Sequence, residues 1–262
     1  MLKNSHILTR IILSFLLLCS VSFSIEMKIK DLAHAVDVSG KQRMFTQRML
    51  KDYTMVGLEN KFGNPNEDLK KVMFAFEDHL EALIVFNKDS ATNESLKKVK
   101  EFWIPIKKAL SEVPSKANAG KMQEDLEALL KQSNEAVGLF VKQTGKASGE
   151  IINISGRQRM LSQRMASLYM LKVWGLDDPQ FKDKMNKALT LFKISQEKLL
   201  ASSMNTDEIK KLLIRSKKSF MFFEMMNKSK SKFIPTLIFK KSNEILKDMN
   251  TVTGLYVKED NK

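Results

Sequence analysis

The sequence predicts an all-α protein built as two tandem four-helix up-down bundles. An added option is that the last helix of the first bundle runs on into the first helix of the second. Three observations carry this. Gly and Pro are few, 10 and 5 in 262 residues, and good helix formers such as Lys, Leu and Met are abundant. No stretch alternates apolar and polar residues at period two between turn signals. The chain also repeats itself: "GKQRMFTQRM" at Gly40–Met49 returns as "GRQRMLSQRM" at Gly156–Met165, 116 positions later. Repeats this long mean duplicated supersecondary units, each with its own apolar face to bury.

The breaks define the elements in order. Turn-rich stretches at 63–68, 88–95, 111–120, 175–180, 202–208 and 227–235 separate helices over about 26–59, 66–88, 93–112 and 118–145 from those over about 146–174, 178–202, 205–227 and 235–257. Asp89 or Ser90, Thr92 or Asn93, and Asn205 or Thr206 are natural N-caps, because their side-chain oxygens accept from the free amides of a first turn. Pro105 inside the third helix is expected to kink or restart it, lacking an amide hydrogen and crowding the preceding turn. No strong breaker separates 118 from 174, hence the continuous-helix option. A weaker echo closes each repeat: Ser133-Asn134-Glu135 before Thr144-Gly145, and Ser242-Asn243-Glu244 before Thr253-Gly254. The expected units are 25–145 and 146–258.

Residues 1–24 read as a signal peptide. Lys3 and Arg10 precede the apolar run Ile11–Cys19, and small residues follow at Ser22 and Ser24. About 15 apolar residues are short for a membrane span, so cleavage is favoured over an uncleaved anchor. Removing that segment removes the single cysteine, Cys19, and with it any disulfide or thiol chemistry. The net charge of +14 suits an exported, periplasmic protein that meets anions. Nucleic acid is not an expected partner.

The doubled run holds the candidate site. On a helical wheel, Arg43 shares a face with Ile29, Leu32, Val36, Ser39, Gly40, Thr46, Gln47, Leu50 and Thr54. Arg159 does the same with Ile152, Ser155, Gly156, Ser162, Gln163, Ala166 and Met170. Lys41, Arg48, Arg157 and Arg164 lie well round the wheel, as rim charges. An inward arginine cannot shed its proton, and an unpaired buried charge costs several kcal/mol. It therefore needs a negative or carbonyl partner, and neither stripe offers an acid. That partner comes from another helix, another subunit or solution. A structural reading pairs Arg43 with Glu77, Glu81 or Glu135. A functional one lets the guanidinium fork take a planar oxyanion through two parallel hydrogen bonds, with Ser39, Gln47, Ser155 and Gln163 as neutral neighbours. Gly40 and Gly156 allow close approach of a helix or a ligand.

The run resembles the signature of the extracytoplasmic sensing domain of PilJ-type chemotaxis transducers. It is also similar to the box of NarX/NarQ-type nitrate and nitrite sensor kinases, close to I-N-x-A-G-x-x-R-M-x-x-x-R. "INISGRQRMLSQRM", ending at Met165, follows that pattern nearly throughout, and "VDVSGKQRMFTQRM" at 36–49 is slightly eroded. The resemblance implies a four-helix bundle that dimerises, with the first arginine of the box, here Arg43 and Arg159, contacting nitrate near the dimer axis. It implies a small anion (nitrate or nitrite) as ligand and a membrane sensor kinase or chemoreceptor as partner. Two arginines could converge on one ion across a homodimer, or between the repeats of one chain. Where the box has asparagine, the second copy keeps Asn153 and the first has Asp37. Negative charge beside an anion site weakens it, so Arg159 is the stronger expected contact. The chain shows no second membrane segment, kinase linker or methylation helix, so its output is expected on a separate receptor.

Other signals are weaker. Met221, Met225 and Met226 alternate with Phe220, Phe222 and Phe223 and read as bundle core or a dimer face, not a soft-metal site. His34 and His79 have no partner at ligand spacing, and Trp103 and Trp174 read as core or rim anchors. The lysines at 228, 230 and 232 read as a solvated basic loop. No nucleophile–base pair or phosphate-cradling loop stands out, so neither an enzyme nor a cofactor is expected. The alternative function is an envelope adaptor whose arginine boxes serve packing and dimerisation.

Overall fold

The computed structural model describes residues 27–176, 178–228 and 234–262. The expected leader over 1–24 lies outside them, as do Lys230 and Lys232. Eight helices and no strand occur among the described residues: α1 (Leu32–Gly57), α2 (Pro65–Phe86), α3 (Ser90–Leu110), α4 (Lys116–Thr144), α5 (Ala147–Val173), α6 (Pro179–Leu200), α7 (Asp207–Lys228) and α8 (Pro235–Asp260). The all-α expectation holds, and the helices fall into two sets of four.

Local chemistry sets the ends. The Asp31 side chain accepts from the amide of His34, so α1 starts six residues later than the composition alone suggested. Asp89 caps α3 through the amide of Thr92, and Ser115 caps α4 through that of Asn118. Asn205 instead closes α6, its side-chain amide donating to the carbonyls of Leu199 and Leu200, while the Thr206 hydroxyl accepts from Ile209 at the start of α7. Pro105 neither ends nor restarts α3, which continues to Leu110. Pro105 and Glu101 both lie on the exposed face, where water can serve the carbonyl left without its amide partner. The continuous-helix option fails at Gly145. This residue adopts φ +62° as a left-handed cap, donates its amide to Lys142, and lets Ala147 begin a new helix two residues on.

Within each set, the box helix packs against the second and fourth helices, α1 on α2 and α4, α5 on α6 and α8. The most extensive pairing among the described helices joins the two sets: α1 lies along α5. Three intervening helices make α1 and α5 parallel, and cross-contacts fix their register. Arg43 meets Asn153, Arg159 meets Asp37, Lys51 meets Gln163, and Ser167 meets Gln47. These contacts are reciprocal about the 116-residue offset, so an approximate two-fold axis runs between the helices. The two bundles share one continuous apolar core.

This arrangement changes the meaning of the wheel. α1 does not carry one buried stripe. Flanked by α2, α4 and α5, it is buried on nearly every face from Ala33 to Met55. Aromatic pairs brace each bundle in matching places, Phe76 with Trp103 (centroids 4.6 Å apart) and Phe192 with Phe220 (4.2 Å). Trp174 packs edge-on to Tyr53 at the far end of the seam. Met221 and Met225 are exposed on α7, not core, although Phe220 and Phe223 beside them are buried.

Candidate functional site

The site lies in the α1/α5 seam. Gly40 and Gly156 set its floor. A β-carbon at Gly40 would stand 3.2 Å from Nη2 of Arg159 and 3.5 Å from Nη2 of Arg43. One at Gly156 would stand 3.0 Å and 3.7 Å from the same two nitrogens. Both guanidinium groups therefore converge between the two glycines, where a β-carbon on either would press on Arg159 and make it give by a few tenths of an ångström. Arg43 is 1% exposed and Arg159 is fully buried.

Their partners follow the two-fold. Each arginine crosses the seam to a carbonyl of the opposite box helix: Arg43 Nη2 donates to the Asn153 carbonyl at 3.3 Å, Arg159 Nη2 to the Asp37 carbonyl at 3.1 Å. Each Nη1 also donates to an asparagine from the fourth helix of its own bundle, Asn134 at 2.8 Å and Asn250 at 3.3 Å. Asn134 and Asn250 are 116 residues apart, whereas the echo read from the sequence aligned Asn134 with Asn243. That echo is displaced by one heptad, two helical turns, and a shift of that length keeps the same face. Asn243 serves a different buried group, Lys51.

The symmetry then breaks at one atom pair. The Asp37 carboxylate accepts from Arg159 Nη1 at 2.6 Å, and its other oxygen pairs with Lys41 at 3.0 Å. Burial alone would raise this carboxyl, but the Arg159 and Lys41 cations outweigh it and hold it down at about 2. The equivalent residue opposite Arg43 is Asn153. No carboxylate among the described residues forms an ion pair with Arg43, although Glu150 acts on it from farther off, and its Nε, like that of Arg159, has no hydrogen-bond partner. The Asn153 Oδ1 is likewise buried and unpartnered. Burial, with Arg157 and Arg159 close by, pushes Arg43 down to about 9, still charged at neutral pH.

The sequence puts Arg159 ahead of Arg43 as an anion contact, and in the structure it is Arg159 that already holds an acid. Along the chain Asp37 belongs beside Arg43, yet it reaches across the seam and neutralises Arg159. Arg43 is the buried cation left without an ion-paired carboxylate, with Glu150 acting on it only from farther off. The acids considered for it are engaged elsewhere or exposed: Glu77 accepts from Trp103 and Lys107, Glu81 pairs with Lys100, and Glu135 faces solvent. The rim reading of the remaining charges holds, with Arg48 on Asp68 and Arg164 on Glu127, all partly buried.

The other expected neighbours do not face the guanidinium pair as donors. The Ser39 hydroxyl donates to the Val36 carbonyl of its own helix, and Ser155 to that of Ile152 and to Thr253. Gln47 and Gln163 sit further along the seam in a second polar layer. There Ser167 donates to Gln47 Oε1 at 3.4 Å, and Lys51 Nζ donates to Gln163 Oε1 at 2.8 Å and Asn243 Oδ1 at 3.0 Å. Gln42 and Gln158, unremarked in the sequence, tie the box helices to their second helices by donating to the carbonyls of Phe76 and Phe192.

Lys51 and Asp52 were also missed. Both are fully buried, and Lys51 lies 4.4 Å from the Phe239 ring centroid. Burial raises Asp52 to about 8, against the pull of Lys51. No periodicity could expose them, because Asp52 sits opposite Arg43 on the wheel, on what a one-stripe helix would give to solvent. The counterparts of this pair in the second copy are Ser167 and Leu168, so the layer is charged on one side only.

The family model described as the type IV pili methyl-accepting chemotaxis transducer N-terminal domain, PilJ, matches residues 28–135 and 140–212. The chain belongs to the PilJ family. Its two matches fall on the two repeats, the first from the lead-in to α1 as far as α4, the second from α4 into α7. No curated protein and no solved structure matches it. PilJ domains belong to transducers, so this PilJ protein has a chemotaxis-related sensory or signalling role and engages signalling partners. None of its described helices is long and apolar enough to cross a membrane.

Proposed function

We propose that this PilJ protein is an exported, periplasmic sensory module that recognises a small planar oxyanion of the nitrate or nitrite type and relays its occupancy to a separate membrane sensor kinase or chemoreceptor. The carrying observation is Arg43: a buried guanidinium with a second cation beside it and, unlike Arg159, no carboxylate in ion-pair contact, Glu150 acting only from farther off. An anion held there would offset a desolvation cost the protein otherwise bears unrelieved. One charged hydrogen bond contributes about 1.5–3 kcal/mol. Two from Arg43 with neutral help correspond to millimolar to micromolar binding. In this reading residues 25–145 and 146–258 act as one sensory body, and the α1/α5 seam stands where a homodimer would pair its box helices. The signal is a change in α1/α5 packing, since an anion shifts a conformational equilibrium only through its preference for one arrangement.

Calorimetric titration with nitrate, nitrite, sulfate and chloride tests this on wild type, Arg43→Ala and Arg159→Ala. Heat with nitrate or nitrite that disappears in Arg43→Ala is expected. Absence of heat with every anion would remove the reading. A second reading, an envelope adaptor with no ligand, is favoured by the Arg159–Asp37 ion pair, which is already complete. It predicts that no anion raises the melting temperature of wild type.

A further inference from the structure

The broken symmetry of the seam says what Asp37 is for. We propose that the Asp37 carboxylate is a tethered occupant of the Arg159 half of the site, so that each chain takes a single oxyanion, at Arg43. This rests on the reading of Arg43 as an anion contact.

The chemistry is that of like replacing like. A carboxylate and a nitrite or nitrate ion are both planar, both carry one negative charge, and both meet a guanidinium edge-on through oxygen. Asp37 does this on Arg159 with Oδ1 2.6 Å from Nη1. Its backbone carbonyl takes Nη2 of the same group at 3.1 Å. About the two-fold, the matching residue on Arg43 is Asn153, whose carbonyl takes Nη2 at 3.3 Å but whose side chain brings no charge. The Asn153 amide donates to Glu150 at 3.3 Å, and its Oδ1 is left buried without a donor. The position mirroring the Asp37 carboxylate is taken by the uncharged Asn153 carboxamide, so the charge that Asp37 supplies to Arg159 is missing beside Arg43, and an anion there would have to displace that carboxamide. The counterpart of Lys41, which braces the Asp37 carboxylate, is Arg157, which stands near Arg43 as a further cation.

The asymmetry has a functional consequence. With two empty arginines 116 residues apart, the seam would hold two adjacent uncompensated cations, or one ion shared between them. With Asp37 in place, one arginine has its charge neutralised and the pair needs only one anion from solution. The tether fixes the stoichiometry and leaves Arg43 as the responsive half.

The experiment is nitrate titration by calorimetry on the full exported chain as wild type, Asp37→Asn, Asp37→Ser and Asp37→Asn/Arg159→Met, each checked as folded by circular dichroism. Wild type should bind one nitrate per chain. Both single variants should bind either two per chain or one at least tenfold more tightly, and the double variant should return to wild-type behaviour. Two single variants are used so that misfolding of one leaves the comparison intact. Wild type and both single variants titrating alike, with nitrate bound, overturns the tether while leaving the Arg43 reading standing. Heat in none of the chains removes both.

Discussion

Replacing each box arginine with methionine should have unequal effects on stability, although the two lie in matching positions. Arg159→Met strips the cation from a carboxylate that is buried in the seam. Leaving one member of a buried pair costs about 3–5 kcal/mol, and Lys41, 3.0 Å from the other Asp37 oxygen, brings this towards the lower end. Arg43→Met also loses hydrogen bonds, the firmer being that to Asn134 at 2.8 Å, worth about 1.5–3 kcal/mol. Against that it removes a desolvated charge with no ion-paired partner and its repulsion from Arg157 and Arg159, which together outweigh the lost pull of Glu150 by several kcal/mol. The net change at Arg43 is therefore close to zero or stabilising, and the two variants should differ by about 3 kcal/mol or more. At about 2–4 °C per kcal/mol for a chain of this size, that is roughly 6–12 °C in Tm. The assay is thermal unfolding followed by circular dichroism at pH 7.5 in dilute chloride buffer, without added oxyanion. Equal losses in Tm, or a larger loss in Arg43→Met, would refute the assignment of the bare cation to Arg43.

Asp52 predicts a pH dependence. Its folded pKa, about 8, stands above the ordinary carboxylate value, so its contribution is complete below about pH 4 and is lost as pH rises towards 8. His79 acts oppositely but only below its unfolded value of 6.5, since burial holds it down at about 3. Between pH 6.5 and 8 wild type should therefore lose about 1–2 kcal/mol in urea unfolding, and Asp52→Asn should flatten that slope. Gly156→Ala sets a β-carbon 3.0 Å from Arg159 Nη2. It should destabilise by about 1–3 kcal/mol, as overpacking does, and weaken nitrate binding in the same titration. Gly57→Ala is more severe, because its β-carbon would fall 2.1 Å from the Trp174 ring. Its Tm should drop further than that of Gly156→Ala, with little change in nitrate affinity relative to wild type.

Most of the helices could be read from the chain because their causes are local. Asp89 and the prolines opening α2, α6 and α8 act within a turn or two of the residues they organise. The misplacements are just as physical. Gly145 has no bulky signal in the sequence, yet a single left-handed residue turns a 58-residue helical pattern into two helices lying beside a third. Pro105 reads as a kink or restart, yet one helix runs through it, because its face is wet.

The sequence alone determined that the protein is helical, duplicated, and marked by one inward-facing arginine per copy, since composition, repetition and helical periodicity are properties of neighbours along the chain. It could not determine which arginine is satisfied. Asp37 lies six residues from Arg43 and 122 from Arg159, and only the parallel packing of α1 on α5 brings the carboxylate to the distant one. Coulombic and hydrogen-bond energies depend on separation in space, and the seam sets that separation.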